Sequence, residues 1–326
     1  MKHVSILVPN EAVLASIDDP RCIFEGVNDF LEAEGKSPLF KVQLIGLTKE
    51  VRLHKGSFTV HTDLLLKDVK KTDLIFIPAL SGDLKKALEL NQDFIPWIVK
   101  QHRQGAEVAS LCIGAFLLAS TGLLNGKKCS SHWLTANLFR SMFPEVTLID
   151  DRIITEEHGL YSSGGAHSYW NLLLYLIEKY TDREMAIHAS KVYAVEINRT
   201  SQSPFIMFNG QKGHEDVPIK KAQEFIENNM ADKITIDDLA SKFAIGRRHF
   251  ERRFKTATNN TPVEYIQRVK IEAAKRFLET SKKNVNEVMY DVGYSDAKAF
   301  RTVFKKITGL SPVDYKNKYN KRPVAL

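Results

Sequence analysis

The sequence predicts two different folds in one chain: a mostly parallel α/β sandwich, then an all-α unit built twice. Three observations carry this reading. Short β-branched runs alternate with helical patterns through the first two thirds. Basic charge is concentrated in the last third. The stretch 236–315 also matches itself when shifted by fifty residues, a fold-level signal that precedes any local assignment. Phe250 falls on Phe300, Phe254 on Phe304, Leu239 on Met289, Lys255 on Lys305 and Thr258 on Thr308. Thr261-Pro262-Val263-Glu264-Tyr265 falls on Ser311-Pro312-Val313-Asp314-Tyr315.

A chain of 326 residues exceeds one typical core, so two or three domains are expected. Residues 217–326 hold 23 of the 46 Lys and Arg but 13 of the 39 Asp and Glu, a net of +10, which leaves −3 for residues 1–216. That asymmetry suggests a polyanion-binding module joined to a near-neutral one; the plain alternative is a merely soluble basic domain. The three cysteines, Cys22, Cys112 and Cys129, show no CxxC or Cys/His spacing, so neither a disulfide framework nor a zinc site is indicated, and no cofactor is expected. The first residues run directly into a strand pattern, and no apolar run reaches eighteen residues. No membrane partner is expected, and the chain reads as cytoplasmic.

Taken in order, residues 4–8 form a β-branched run ending at Pro9, and 23–33 carry Ile23, Phe24, Val27, Phe30 and Leu31 at helical spacing before Gly35. Segments 40–47 and 57–61 read as strands. The continuous apolar run 73–78 suits a strand covered on both faces. A helix over 94–104 closes at Gly105, and 108–111 is another short buried strand. That strand leads through Cys112 directly into a helix with Gly114 in its first turn, the sequence form of a nucleophile elbow. Such a turn lifts Cys112 to the strand's C-terminal edge, where the helix N-terminus can depress a thiol pKa and the Ile113 N–H can hold an oxyanion or carboxylate. A buried, inert cysteine is the competing reading.

The run Leu111-Cys112-Ile113-Gly114-Ala115-Phe116, then Gly122-Leu123-Leu124-Asn125-Gly126 and Ser131-His132-Trp133, resembles the class I glutamine-amidotransferase-like superfamily in its PfpI-type branch. Gly159-Leu160-Tyr161-Ser162-Ser163-Gly164-Gly165 and the apolar helix after it are similar to the end of that domain. The resemblance spans about residues 1–197 and implies a flavodoxin-like sandwich that senses a small molecule, dimerises, or both. It also implies candidate catalytic residues Cys112 and His132, and a ligand pocket around Cys112, Ile113, His132 and His167. The acid of the hydrolytic members is not evident: Ser16 stands in its place, with Asp18, Asp19 and Glu11 nearby. A pocket used for sensing is therefore expected, and an active Cys–His hydrolase or deglycase fused to a DNA-binding domain is the alternative.

Residues 198–217 are polar and turn-rich apart from the island Phe205-Ile206-Met207-Phe208, and are expected to be a linker whose island packs on one domain. Pro218 then opens a helix. Thr235 and Asp238 form a cap before Leu239, Ala240 and Phe243, a turn follows at 244–246, and 247–254 is a second helix. This is a helix-turn-helix. Phe250 and Phe254 face inward, while Arg247, Arg248, Glu251 and Arg252 are left outside, so the arginines need a polyanion or carboxylates; a solvated charged face is the plain alternative. A long helix over 261–280 joins this half to a second over 285–306, anchored by Phe300 and Phe304, with Lys298, Arg301 and Thr302 outward.

Asp291-Val292-Gly293-Tyr294-Ser295, Phe304-Lys305-Lys306, Gly309 and Ser311-Pro312-Val313-Asp314-Tyr315-Lys316 resemble the AraC/XylS-type DNA-binding domain. The resemblance implies sequence-specific binding of double-stranded promoter DNA by residues 218–326, with a homodimer, an unidentified small-molecule effector and a contact with RNA polymerase as the further partners expected. Gly246 and Thr302 depart from the family pattern. By position Arg248, Glu251, Arg252, Lys298 and Arg301 are candidates for base edges, with Thr302 beside them, and Arg247, Lys305 and Lys306 for phosphates.

Overall fold

The structure is a computed structural model that describes residues 1–320; the last six residues of the expected 218–326 domain lie outside the described residues. The chain divides into two units, Met1–Gln202 and Ser203–Leu326, so the expected 198–217 linker is shared between them.

In the first unit a seven-stranded sheet has the spatial order Ile154–Glu157, Leu160–Ser163, Glu107–Ser110, Leu74–Ile77, Lys2–Leu7, Phe40–Gly46, Leu64–Leu65. All neighbours are parallel except the edge pair Ile154–Glu157 and Leu160–Ser163. Helices cover both faces, which is why the strands read as unbroken apolar runs. Along Leu74–Ile77, Leu74 and Phe76 enter one core with Phe24, Leu172 and Ile177, while Ile75 and Ile77 enter the other with Phe94, Phe116 and Phe139. This is the flavodoxin-like sandwich that the sequence predicts.

Two local expectations change. Phe58–His61 lies outside the main sheet and pairs with Glu50–Leu53 in a separate antiparallel ribbon, leaving Phe58 exposed. The first helix is Ala15–Ala33, longer than the 23–33 pattern, because it begins before an interior Pro20 that the rule against helix prolines treats as a boundary.

The second unit is a set of helices: Val217–Asn228, Ile236–Lys242, Arg247–Thr258, Pro262–Thr280, Val285–Asp291, Ala297–Thr308 and Pro312–Tyr319. They enclose two small cores. The first holds Ile219, Ile226, Leu239, Phe250, Phe254 and Tyr265, and the second holds Ile271, Leu278, Val288, Met289, Phe300, Phe304 and Tyr315. The long helix Pro262–Thr280 gives its first half to one core and its second half to the other. The fifty-residue offset reappears as geometry. Phe250–Phe254 centroids lie 5.6 Å apart and Phe300–Phe304 5.7 Å; Phe254–Tyr265 lie 5.3 Å apart at 79°, and Phe304–Tyr315 5.5 Å at 80°. Thr258 Oγ1 donates to the Phe254 carbonyl at 2.7 Å, and Thr308 Oγ1 to that of Phe304 at 2.8 Å. Each buried aromatic contributes ~1.5–3 kcal/mol, so the repeated residues are those that hold each half together.

The apolar island of the expected linker packs on this second unit. Phe208 joins the first core against Tyr265, with its N–H donated to Glu272, and the buried Lys275 ammonium donates to the Ile206 carbonyl at 2.6 Å.

Candidate nucleic-acid interface and ligand pocket

Each half of the helical unit is a helix-turn-helix. Thr235 caps Ile236–Lys242 through a reciprocal box with Asp238, a turn over 243–246 follows, and Arg247–Thr258 is the second helix. In the second half Asn284 and Glu287 form the equivalent box on Val285–Asp291, and Asp296 caps Ala297–Thr308. Phe250 and Phe254 are buried, which fixes the opposite face outward.

The four arginines of the first helix separate into two pairs. Arg247 is held by Asp237 at 2.9 Å and by Glu251 at 3.5 Å, and Arg253 grips Asp216 through two hydrogen bonds of 2.8 and 2.9 Å. The Arg253 guanidinium holds the Asp216 carboxyl below its usual range. Arg248 and Arg252 are exposed and have no carboxylate partner among the described residues. They lie four apart, on one face. Glu251 is half-buried and engaged with Arg247, so it is not an independent acceptor in the free protein.

On the second helix Lys298, Arg301, Lys305 and Lys306 are exposed without ion pairs among the described residues, and Thr302 returns its hydroxyl to the Lys298 carbonyl at 2.8 Å. Sequence reasoning passed over Lys255, the exposed counterpart of Lys305, although the offset that aligned the phenylalanines also marked it.

In the α/β unit Cys112 follows Glu107–Ser110 at φ +55°, a left-handed position that an L residue holds at a cost, and is 4% exposed. Gly114 makes the turn feasible: a Cβ there would lie 2.5 Å from both the Ile77 and Pro78 carbonyl oxygens. The elbow is therefore present. Its electrostatics run against the expected activation. Burial pushes the Cys112 thiol up to about 12, with only the Ile113 N–H bond to sulfur opposing it. The following helix Ala115–Ser120 has six residues, too short to offset desolvation. The Cys112 N–H donates to Ser163 Oγ at 3.2 Å and its carbonyl accepts from Ser131 Oγ at 3.3 Å, so the backbone of the elbow is already satisfied.

His132 is half-buried and forms no hydrogen bond with Cys112; its Nδ1 accepts the Leu134 N–H at 3.1 Å, capping the turn Trp133–Thr135. Burial lowers its pKa, and a neutral ring that accepts at Nδ1 carries its proton on Nε2. Ser16 is fully buried, donating to the Val13 carbonyl at 2.6 Å and accepting the Ala79 N–H at 2.9 Å. It closes the backbone where an acid would have stood. Glu11 lies exposed in a loop, its carbonyl tied to Ser81.

The acid that does reach this region is Asp19. It accepts from the buried Tyr169 hydroxyl at 2.5 Å, with the Trp170 indole as a second donor, and burial raises its carboxyl despite both. Tyr169 packs in the same core as Cys112, and the exposed His167 acts on the Asp19 charge from the rim. Shared packing, hydrogen bonding and charge thus link Cys112, Ile113, Tyr169, Asp19, Trp170 and His167. The sequence places Asp19 only near the expected acid position and does not single out Tyr169, because their partnership spans 150 residues and leaves no local pattern.

Comparison with known proteins gives the same division. Residues 29–179 match the DJ-1/PfpI family, and residues 239–318 match a helix-turn-helix domain. The chain is similar to the HTH-type transcriptional regulator GbdR of Pseudomonas aeruginosa, at 25% identity over 69% of this chain and 61% of that protein. It is similar to the regulators ArgR (26% identity, 66% of this chain and 65% of that protein) and CdhR (22%, 80% and 76%) of the same organism. The chain spans about six tenths of the length of the first of these relatives. Among solved structures, a Vibrio parahaemolyticus protein described as a candidate transcriptional regulator shares the fold at TM-score 0.53 and 22% identity, over 59% of this chain and 98% of that one. A ThiJ/PfpI family protein from Pseudomonas syringae does so at TM-score 0.50 and 14% identity, over 74% of this chain and 87% of that one. No helix among the described residues is long and apolar enough to cross a membrane. The chain joins a DJ-1/PfpI-type α/β domain to an AraC-type helix-turn-helix domain.

Proposed function

We propose that this chain is a transcription regulator that reads promoter DNA with its two helix-turn-helix halves, while its α/β domain binds a small effector, mediates a homodimer, or both. One observation carries the DNA reading. Two helices held in matching poses by buried Phe pairs present Arg248 and Arg252 on one and Lys298, Arg301 and Lys305 on the other, all without carboxylate partners among the described residues. Arg248, Arg252, Lys298 and Arg301 are assigned to base edges, and Lys305, Lys306 and Lys255 to phosphates. Arg247 and Glu251 join them once DNA displaces their mutual pair. A titration of selected duplex between 50 and 200 mM salt tests this: with three or four phosphate contacts affinity falls on the order of 10²-fold, and a salt-independent affinity would contradict it.

For the α/β domain the geometry favours binding over turnover. A thiol held protonated by burial, a histidine whose acceptor nitrogen is occupied, and a serine locked into backbone bonds do not make a nucleophile, base and orienting acid. The pocket around Cys112, Tyr169, Asp19 and His167 is assigned to the effector. Cys112→Ala should retain promoter response; thiol-dependent turnover by the unmodified chain would reverse this reading. Sedimentation with and without effector tests the homodimer.

A further inference from the structure

The seam between the two small helical cores is occupied by a charge. Lys270 stands on Pro262–Thr280 between Val269, the last residue of that helix in the first core, and Ile271, the first in the second. It is 7% exposed, and no carboxylate lies within ion-pair distance of it among the described residues. Its ammonium donates instead to three carbonyls: Asp232 at 3.1 Å, Val292 at 3.1 Å and Gly293 at 3.4 Å. Asp232 belongs to the loop between the first two helices of the first half. Val292 and Gly293 form the turn that follows Val285–Asp291 in the second half. Carbonyls at a helix C-terminus carry partial negative charge, so they suit a cation.

The two halves touch at this point. A Cβ on Gly293 would sit 2.1 Å from the Ala231 carbonyl oxygen and 2.6 Å from Lys270 Nζ, and the residue has φ +72°, so this turn admits only glycine. An isolated buried ammonium is costly unless its donors are all used, and here three donors meet three acceptors drawn from both halves. An apolar residue would fill the seam more cheaply. We infer that Lys270 is a positioning residue that fixes the angle and distance between the two recognition helices, so that both enter DNA in one register. The inference rests on the DNA-binding reading above.

The test uses the full chain and three duplexes: both selected half-sites at their selected spacing, the same halves separated by two further base pairs, and one half alone. Wild type should bind the first far better than the second. Lys270→Met, and the shorter polar Lys270→Gln should the first variant fold poorly, should lose on the order of tenfold to hundredfold on the first duplex, because the second contact is no longer presented at high effective concentration. Each should keep its affinity for the single half and show a smaller spacing penalty, and Lys270→Arg should restore both. Variants that keep the full spacing penalty, or lose half-site binding in parallel, overturn the staple while leaving DNA binding intact. A wild type that binds none of the duplexes removes the DNA-binding reading and this inference with it.

Discussion

Alkylation of the native chain at neutral pH should separate its three cysteines sharply, with Cys112 among the slow ones. The perturbation is iodoacetamide at pH 7, with the pH then stepped to 9. With its pKa pushed up to about 12, Cys112 is thiolate in only about one molecule in 10⁵ at pH 7, against roughly 3% for a free thiol. Reaction should be slower by about three thousandfold on that ground alone, before the need to open the pocket is added. Stepping to pH 9 should accelerate it by about a hundredfold. Cys129, fully buried and likewise pushed up to about 12, should behave in the same way, while the exposed Cys22 should react first. Peptide mass spectrometry after timed quenching reads all three sites together, and urea-unfolded protein gives the unrestricted rate. Cys112 modified as fast as Cys22 in the native chain would refute the account of burial outweighing the helix terminus and would reopen the nucleophile.

Other expectations are independent of that one. Arg252→Ala should cost ~1–3 kcal/mol of DNA affinity and relax one base position, whereas Arg253→Ala, whose partner is Asp216, should lower the denaturation midpoint and leave the selected sequence unchanged. Fluorescence anisotropy on variant duplexes and a denaturant melt distinguish the two. Because Asp216 has a depressed carboxyl pKa, its contribution is present above the unfolded carboxylate pKa and is lost as pH falls through the folded one. Asp216→Asn should therefore destabilise at pH 7 and have little effect near pH 2; equal effects at both would contradict the pairing. Gly114→Ala should lower the melting temperature of the α/β unit steeply, since the added methyl meets two backbone carbonyl oxygens and neither can rotate away.

Much of this architecture is legible in the sequence because it is periodic. Phe250, Phe254, Phe300 and Phe304 are spaced for one helix face, and their burial reproduces that spacing. The elbow at Cys112 is equally local, a strand, a turn and a glycine. What the sequence conceals is through-space pairing. Lys270 and Lys275 look like surface residues on an amphipathic helix, and only the carbonyls of distant loops explain their burial. Asp19 finds Tyr169 across the fold, Arg253 finds Asp216 outside its own helix, and His132 spends its acceptor nitrogen on its own turn. Apart from His132 and Leu134, two residues apart in one turn, none of these partners lies at a helical or strand period from the other. The island Phe205-Ile206-Met207-Phe208 is legible as one that packs on a domain, but its partner is not: only the fold sets Phe208 against Tyr265.

The most direct test of the whole account is selection of bound sequences from random duplex DNA by the purified chain. Two recognition helices share a scaffold but present Arg248 and Arg252 on one and Lys298 and Arg301 on the other. The bound site should therefore contain two unlike half-sites, centred about 10 base pairs apart on one face of the helix. Any palindrome should appear only between such bipartite elements, through pairing of two chains. Enrichment of no sequence, or of two identical halves within the footprint of one helical unit, would contradict the account.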